Sequence, residues 1–105
     1  MSKPLTPSAT RALRSLGRDL RIARKKRRMP MADFAERMGV SLGTLGRLER
    51  GEPGVSLGAF AMALLVLGEL RRLDELLDVS RDDTGLLLDI SALPQRIRRP
   101  GPLGG

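Results

Sequence analysis

The stretch from Met29 to Gly51 constrains the fold of this chain more than any other part of its sequence. Its pattern predicts two short helices joined by a tight turn. Gly39 follows the segment MADFAERM, where a helix ends and the backbone can become left-handed at little steric cost. Ser41 is a good N-cap for the next helix, because its hydroxyl can accept a hydrogen bond from a first-turn amide. Gly51 then ends that second helix.

Apolar positions on either side of the turn predict how these two helices pack. Ala35 is small where the helices would cross closely, and Leu45 and Leu48 are three residues apart, so that both would face the core. The opposite face of the second helix would remain exposed. A short helix braced in this way can enter the major groove of DNA.

The first 78 residues predict five helices in all, so we expect an all-α domain over residues 7–78. Thr6 and Pro7 form a typical helix start, with Thr6 as N-cap, and Ser56 caps the fourth helix. The predicted helices run from Pro7 to about Arg27, from Pro30 to about Met38, from Leu42 to about Arg50, from Leu57 to about Leu67, and from about Glu69 to Leu77.

Four of these helices show a single predicted core face at helical spacing. The inward residues would be Leu13, Leu16, Leu20 and Ala23, then Phe34, Ala35 and Met38, then Leu45 and Leu48, and finally Leu70, Leu73, Leu76 and Leu77. The fourth helix differs, because it is apolar on more than one face, through Leu57, Phe60, Ala61, Leu64, Leu65 and Leu67. That excess indicates burial from several sides, in part against a second subunit.

The chain outside residues 7–78 predicts less regular structure. We expect a flexible N-terminus over 1–6 and a C-terminal extension over 79–94. Within that extension, the apolar patch Leu86–Ile90 is either a short strand or a helical turn. This patch would either pair with the same patch of a second subunit in a dimer or pack onto its own domain. Residues 95–105 are rich in Arg, Pro and Gly, which predicts a disordered basic tail.

Charge is distributed unevenly along the chain. Residues 1–54 hold 13 basic and 5 acidic side chains, whereas residues 55–89 hold 3 basic and 7 acidic ones. A basic first half predicts a face that meets a polyanion. The run from Arg24 to Arg28 ends the first helix, where cations complement the helix dipole. It would either lie near DNA phosphate or form a solvated face.

Composition argues against several classes of protein. The chain contains no Cys, His, Trp or Tyr, so disulfides, the usual zinc ligands and the commonest general base are excluded. No nucleophile, base and orienting group stand in a recognisable arrangement. The N-terminus is polar, and the longest apolar run, Val55–Gly68, is too short to cross a bilayer. We therefore expect a cytoplasmic protein that is not an enzyme and has no cofactor, metal or membrane partner.

The segment AERMGVSLGTLGRLERG resembles the helix-turn-helix of the phage Cro/repressor-like (XRE) family. The preceding LGRDLRIARKKRR is similar to the first helix of that family, and GEPGVSLGAFAMALLVLGELRRLDELLD to its fourth and fifth helices. The resemblance covers about Arg14 to Asp78 and implies a five-helix repressor-like DNA-binding domain. GEPGVSLG and LPQRIRRP are most similar to the branch of DNA-binding antitoxins of HipA-type kinase toxins.

The resemblance also implies which residues meet DNA. Base edges would be contacted by residues of the third helix: Leu42, Gly43, Thr44 and Arg47. Phosphates would be contacted by Ser41, Arg50, the Gly51 amide, Lys25 and the position of Met31, where the family usually has Gln. Arg47 can pair with guanine O6 and N7, and Thr44 can bond a base or contact a thymine methyl.

Alternatively, Thr44 supports the helix start and Arg47 pairs with an acid such as Glu36. Glu49 would bond within the protein, to an arginine of the first or second helix.

Gly43 and Gly46 depart from a typical helix, since each lowers helix propensity by up to roughly 1 kcal/mol relative to Ala. Gly43 removes a possible base-reading side chain, and we expect Gly46 to serve close packing or an approach to the backbone.

One such helix touches few bases, so specificity requires two copies on half-sites about one helical turn apart. We therefore expect a two-fold dimer that reads a palindrome through an interface of the fourth and fifth helices and the Leu86–Ile90 patch. The predicted function is a sequence-specific regulator of transcription, as an autorepressor and antitoxin with a kinase-like toxin as partner. The alternatives are a repressor without a toxin partner and a protein-interaction module with no role on DNA.

Overall fold

The computed structural model describes residues 4–78, which contain five α-helices and no strand. The helices are α1 (Pro7–Lys26), α2 (Met31–Met38), α3 (Leu42–Glu49), α4 (Leu57–Leu67) and α5 (Leu70–Asp74). The predicted all-α, five-helix fold is therefore confirmed. The predictions for residues 79–94, including the Leu86–Ile90 patch, and for residues 95–105 lie outside the described residues.

Hydroxyl side chains start three of the helices, as the sequence predicts. Thr6 Oγ1 accepts a hydrogen bond from Ala9 N at 3.1 Å. Ser41 Oγ accepts one from Thr44 N at 3.1 Å, and Ser56 Oγ accepts one from Ala59 N at 3.0 Å. Each such cap stabilises its helix by about 1 kcal/mol. The helix boundaries are thus fixed largely by local chemistry.

The core lies where α1, α2, α3 and α4 meet. Phe34 and Leu45 are its most deeply buried large side chains, each 1 % exposed. The other buried hydrophobic residues are Leu20, Ala35, Met38, Leu48, Ala59, Ala63 and Leu67. The helix α3 packs against both α1 and α2, and α4 packs against α2. The predicted inner faces of α2 and α3 are confirmed.

The buried face of α1 is rotated from the predicted leucine stripe. Leu20 is buried, but Leu16 is 38 % exposed. The remaining buried positions of this helix are Gly17, which has no side chain, and Arg24, which is charged. The prediction from hydrophobic spacing therefore missed Gly17 and Arg24 on the buried face of α1. It also placed Leu16 in the core, where it does not lie.

The predicted inward leucines of the fifth helix are also wrong in part. The helix ends at Asp74 and contains no buried residue. Leu70 is 37 % exposed, and Leu76 and Leu77 lie in the turn that follows. A helix of little more than one turn cannot hold leucines seven positions apart on one face.

The chain divides at the end of α5 into two compact units, Met1–Asp74 and Glu75–Gly105. In the second unit the described residues 75–78 form a turn, in which Asp78 N donates to Glu75 O at 3.2 Å.

Among residues 4–78, the helix α4 is buried on one side only. Ala59, Ala63 and Leu67 face the core, whereas Leu57 is 79 % exposed and Leu65 is 50 % exposed. The predicted burial from several sides is thus not achieved by residues 4–78 alone.

Candidate nucleic-acid interface

The helix α3 has an inner face in the core and an outer face in solvent. Leu45 and Leu48 are buried. The helical repeat places Gly43, Gly46, Arg47 and Arg50 on the opposite side, and we call these four residues the outer face of α3. Both of its arginines are exposed. The outer face is therefore a narrow, cationic helix surface with little side-chain bulk.

A small hydrogen-bond network joins the outer face to the start of α3. Arg47 Nη2 donates to Thr44 Oγ1 at 3.1 Å, and Ser41 Oγ donates to the same oxygen at 3.0 Å. Arg47 thus bonds Thr44 rather than Glu36, which was one alternative interpretation. A guanidinium has five N–H donors, and those that remain can pair with base edges.

The end of α3 holds a second arginine beside a carboxylate. Arg50 Nε lies 2.8 Å from Glu52 Oε2, and the side chains are 64 % and 44 % exposed. Such an exposed pair is worth at most about 1 kcal/mol, so a phosphate can compete with Glu52 for the guanidinium. Arg50 is therefore available for a polyanion in spite of its partner.

A buried ion pair fixes α3 against α1. Arg24 Nε lies 2.7 Å from Glu49 Oε2, and Arg24 Nη2 donates to Glu49 Oε1 at 3.1 Å. The same guanidinium donates through Nη1 to Met29 O at 2.8 Å, in the segment before α2. The two side chains are 7 % and 6 % exposed. The prediction that Glu49 bonds an arginine of the first or second helix is confirmed.

Two glycines let the backbones of α1 and α3 touch. A Cβ at Gly17 would lie 2.6 Å from Gly51 N and 2.7 Å from Glu49 O. A Cβ at Gly51 would overlap Leu13 O, and the φ of Gly51 is 73°. We call Gly17, Gly51, Arg24 and Glu49 the bracing contact. Sequence reasoning missed Gly17, although a glycine inside a 20-residue helix already opposed local propensity.

The basic run at the end of α1 divides between structure and surface. Arg24 belongs to the bracing contact, and Arg27 Nη2 donates to Leu67 O at 3.0 Å, at the end of α4. Lys25, Lys26 and Arg28 are exposed. Arg24 and Arg27 therefore hold the fold, whereas Lys25, Lys26 and Arg28 are available to an anion.

The remaining predicted contact residues lie in different environments. Leu42 is 53 % exposed in the first turn of α3, and Lys25 is exposed on α1. Met31 packs against the core. The Gly51 amide already donates to Leu48 O at 3.0 Å, within the bracing contact. The structure brings Ser41, Thr44, Arg47 and Arg50 along α3 but leaves Met31 and Gly51 engaged elsewhere.

A family profile described as a helix-turn-helix domain matches residues 15–87. The chain belongs to the helix-turn-helix domain family. The two helices and the turn of that motif are α2, the segment around Gly39, and α3. DNA binding is the typical role of such domains, and the match is consistent with the Cro/repressor-like resemblance. No curated protein and no solved structure matches the chain.

Within residues 4–78, each helix is either too short or too polar to cross a lipid bilayer.

Proposed function

We propose that this protein is a sequence-specific regulator of transcription that places α3 in the major groove of DNA. The observation that carries the proposal is the exposure of Arg47 and Arg50 on a helix whose opposite side is fixed in the core. An α-helix with its side chains is about 10–12 Å in diameter, which matches the roughly 12 Å width of the groove, and the 8 residues of α3 supply about two turns to lie in it. A helix that contacts base edges must be held rigidly, and the core holds α3 in this way.

The proposed contacts fall into two classes. Arg47 and Thr44 read bases, with Leu42 and Gly43 beside them at the groove floor. Ser41, Arg50 and Lys25 bind phosphates, which adds affinity without reading sequence. Met31, which packs against the core, and the Gly51 amide, which donates to Leu48 O, are not among the proposed phosphate contacts. The protein would act in the cytoplasm, and none of these roles involves catalysis.

We further propose that two copies bind a palindromic operator. The support is the exposed apolar side of α4, where Leu57, Met62 and Leu65 are 79 %, 36 % and 50 % exposed. A second copy that buries this side would explain why the helix is apolar all round. Sedimentation velocity should then show a dimer, and Leu65→Arg should dissociate it. Ile22→Arg is the control, because Ile22 is similarly exposed on α1, at 44 %.

The finer role that we propose is autorepression as the antitoxin of a HipA-type kinase toxin. The support is the sequence resemblance of GEPGVSLG to that branch. Co-purification with the product of an adjacent kinase-like gene would establish the role. If no such gene lies beside this one, the proposal becomes a repressor without a toxin partner.

Selection of bound duplexes from a random pool tests DNA recognition itself. The expected result is a palindromic motif with half-sites about one helical turn apart. Absence of enrichment, together with no duplex binding in low-salt buffer, would favour a protein-interaction module and overturn the proposal.

A further inference from the structure

The outer face of α3 pairs each arginine with a glycine four residues earlier. A Cβ at Gly43 would lie 3.7 Å from Arg47 Nη1. A Cβ at Gly46 would lie 3.3 Å from Arg50 Nη1. Both guanidinium groups therefore lie back along the helix, over backbone that carries no side chain.

The fold of residues 4–78 gives no reason for glycine at either position. Positive φ among the described glycines occurs at Gly39, Gly51 and Gly68, and not at these two. The nearest neighbours of an added Cβ would be side-chain atoms of Arg47, Ser41 and Arg50, not backbone of another helix. Alanine has the higher helix propensity, so stability alone would favour it. The expectation that Gly46 serves close packing is wrong for residues 4–78, whereas the alternative, an approach to the backbone, stays a prediction.

We propose that Gly43 and Gly46 are positioning residues for DNA recognition, an inference that rests on the proposed function. A Cβ at Gly43 would be in ordinary van der Waals contact with the Arg47 guanidinium, so glycine leaves that group more freedom to move toward the base edges than alanine would. Gly46 lets the Arg50 guanidinium lie close to the helix, where it can turn from Glu52 to a phosphate. The chain gives up helix stability at both positions for the placement of its arginines.

The chain offers a matched control for Gly43. The same four residues, Val-Ser-Leu-Gly, open α3 at Val40–Gly43 and α4 at Val55–Gly58. In both helices the serine is the N-cap, and an added Cβ would lie 3.8 Å from its Oγ. No arginine of residues 4–78 lies within 4 Å of such a Cβ at Gly58. Gly43→Ala and Gly58→Ala therefore make the same local change, with and without an arginine above it.

Thermal unfolding and DNA binding of Gly43→Ala, Gly46→Ala and Gly58→Ala test the inference. Each alanine should raise the melting temperature, by about 2–6 °C.

Affinity is measured on a duplex selected from a random pool and on a shuffled duplex of the same composition. Gly43→Ala should bind the selected duplex about tenfold more weakly and the shuffled one almost as wild type does. Gly46→Ala should lose about fivefold on both, because Arg50 binds phosphate. Gly58→Ala should bind both as wild type does.

Double mutants show whether the glycines act through the arginines. In an Arg47→Ala background, Gly43→Ala should cause no further loss of affinity, and Gly46→Ala should cause none in an Arg50→Ala background. The same loss with and without the arginine would mean that the methyl group obstructs DNA directly, and would overturn the inference. So would wild-type affinity of both single variants. A wild-type protein that binds neither duplex overturns the proposed function, and this inference with it.

Discussion

The bracing contact and the outer face lie on opposite sides of α3 and use the same two residue types. In the bracing contact, Gly17 and Gly51 meet backbone to backbone, and the Arg24 guanidinium is buried against Glu49. On the outer face, arginines lie over glycines in solvent. Glycine is obligatory in the bracing contact, whereas on the outer face it lowers helix propensity. Arginine is structural in the bracing contact, whereas on the outer face it is available for a ligand. Burial, rather than residue type, separates the two roles.

The largest expected effect is on the ion pair of the bracing contact. Glu49→Ala leaves the Arg24 guanidinium buried without its carboxylate, so we expect a loss of about 3–5 kcal/mol in the free energy of unfolding. Urea denaturation with a constant m-value measures it. Glu52→Ala is the matched control, because it removes the carboxylate of an exposed pair and should cost at most about 1 kcal/mol. Equal losses in the free energy of unfolding of the two variants would show that the ion pairs of the bracing contact and of the outer face contribute alike.

The next effect concerns the glycines of the bracing contact. Gly17→Ala places a methyl group against the backbone of Glu49 and Gly51, which must move apart, so we expect destabilisation by about 1–3 kcal/mol. Denaturant unfolding measures it, beside Gly58→Ala as a substitution at an open helical site. A Gly17→Ala protein as stable as wild type would show that α1 and α3 can separate without cost.

On the outer face, the effect should appear in binding and not in folding. Arg47→Ala removes a proposed guanine contact, so we expect a loss of about 1–3 kcal/mol on the selected duplex and a relaxed preference at one base pair. The free energy of unfolding should stay within about 0.5 kcal/mol of wild type. Repeating the duplex selection with the variant measures the preference. An unchanged motif would exclude Arg47 from base recognition.

The smallest effect is expected at Lys25, whose neighbour Arg24 lies in the bracing contact. Lys25→Ala should weaken binding to all duplexes alike and reduce the slope of log K against log salt by about 0.9. Titrations at several salt concentrations measure the slope. Arg72→Ala is the control, because Arg72 is an exposed cation on α5, a helix that packs on α4. An unchanged slope for Lys25→Ala would place this side chain away from phosphate.

Local chemistry explains which features could be predicted. Ser41 and Ser56 start their helices, and Gly39 ends one, through interactions with residues at most four positions away. The inner faces of α2 and α3 follow from spacing because the apolar residues of each helix fall on one face at helical intervals. The family resemblance added the roles of Thr44 and Arg47, which spacing alone does not assign.

The sequence by itself determined five helices, their caps, and a turn that presents α3 with Leu45 and Leu48 inward. Only the tertiary structure decided which member of the run 24–28 is buried, that Gly17 faces Gly51, and that Leu16 is exposed rather than in the core. The physical reason is that these features depend on residues about 25 to 35 positions apart. Whether an arginine meets a carboxylate or solvent, and whether a glycine meets backbone or open space, is settled only when two distant helices come together.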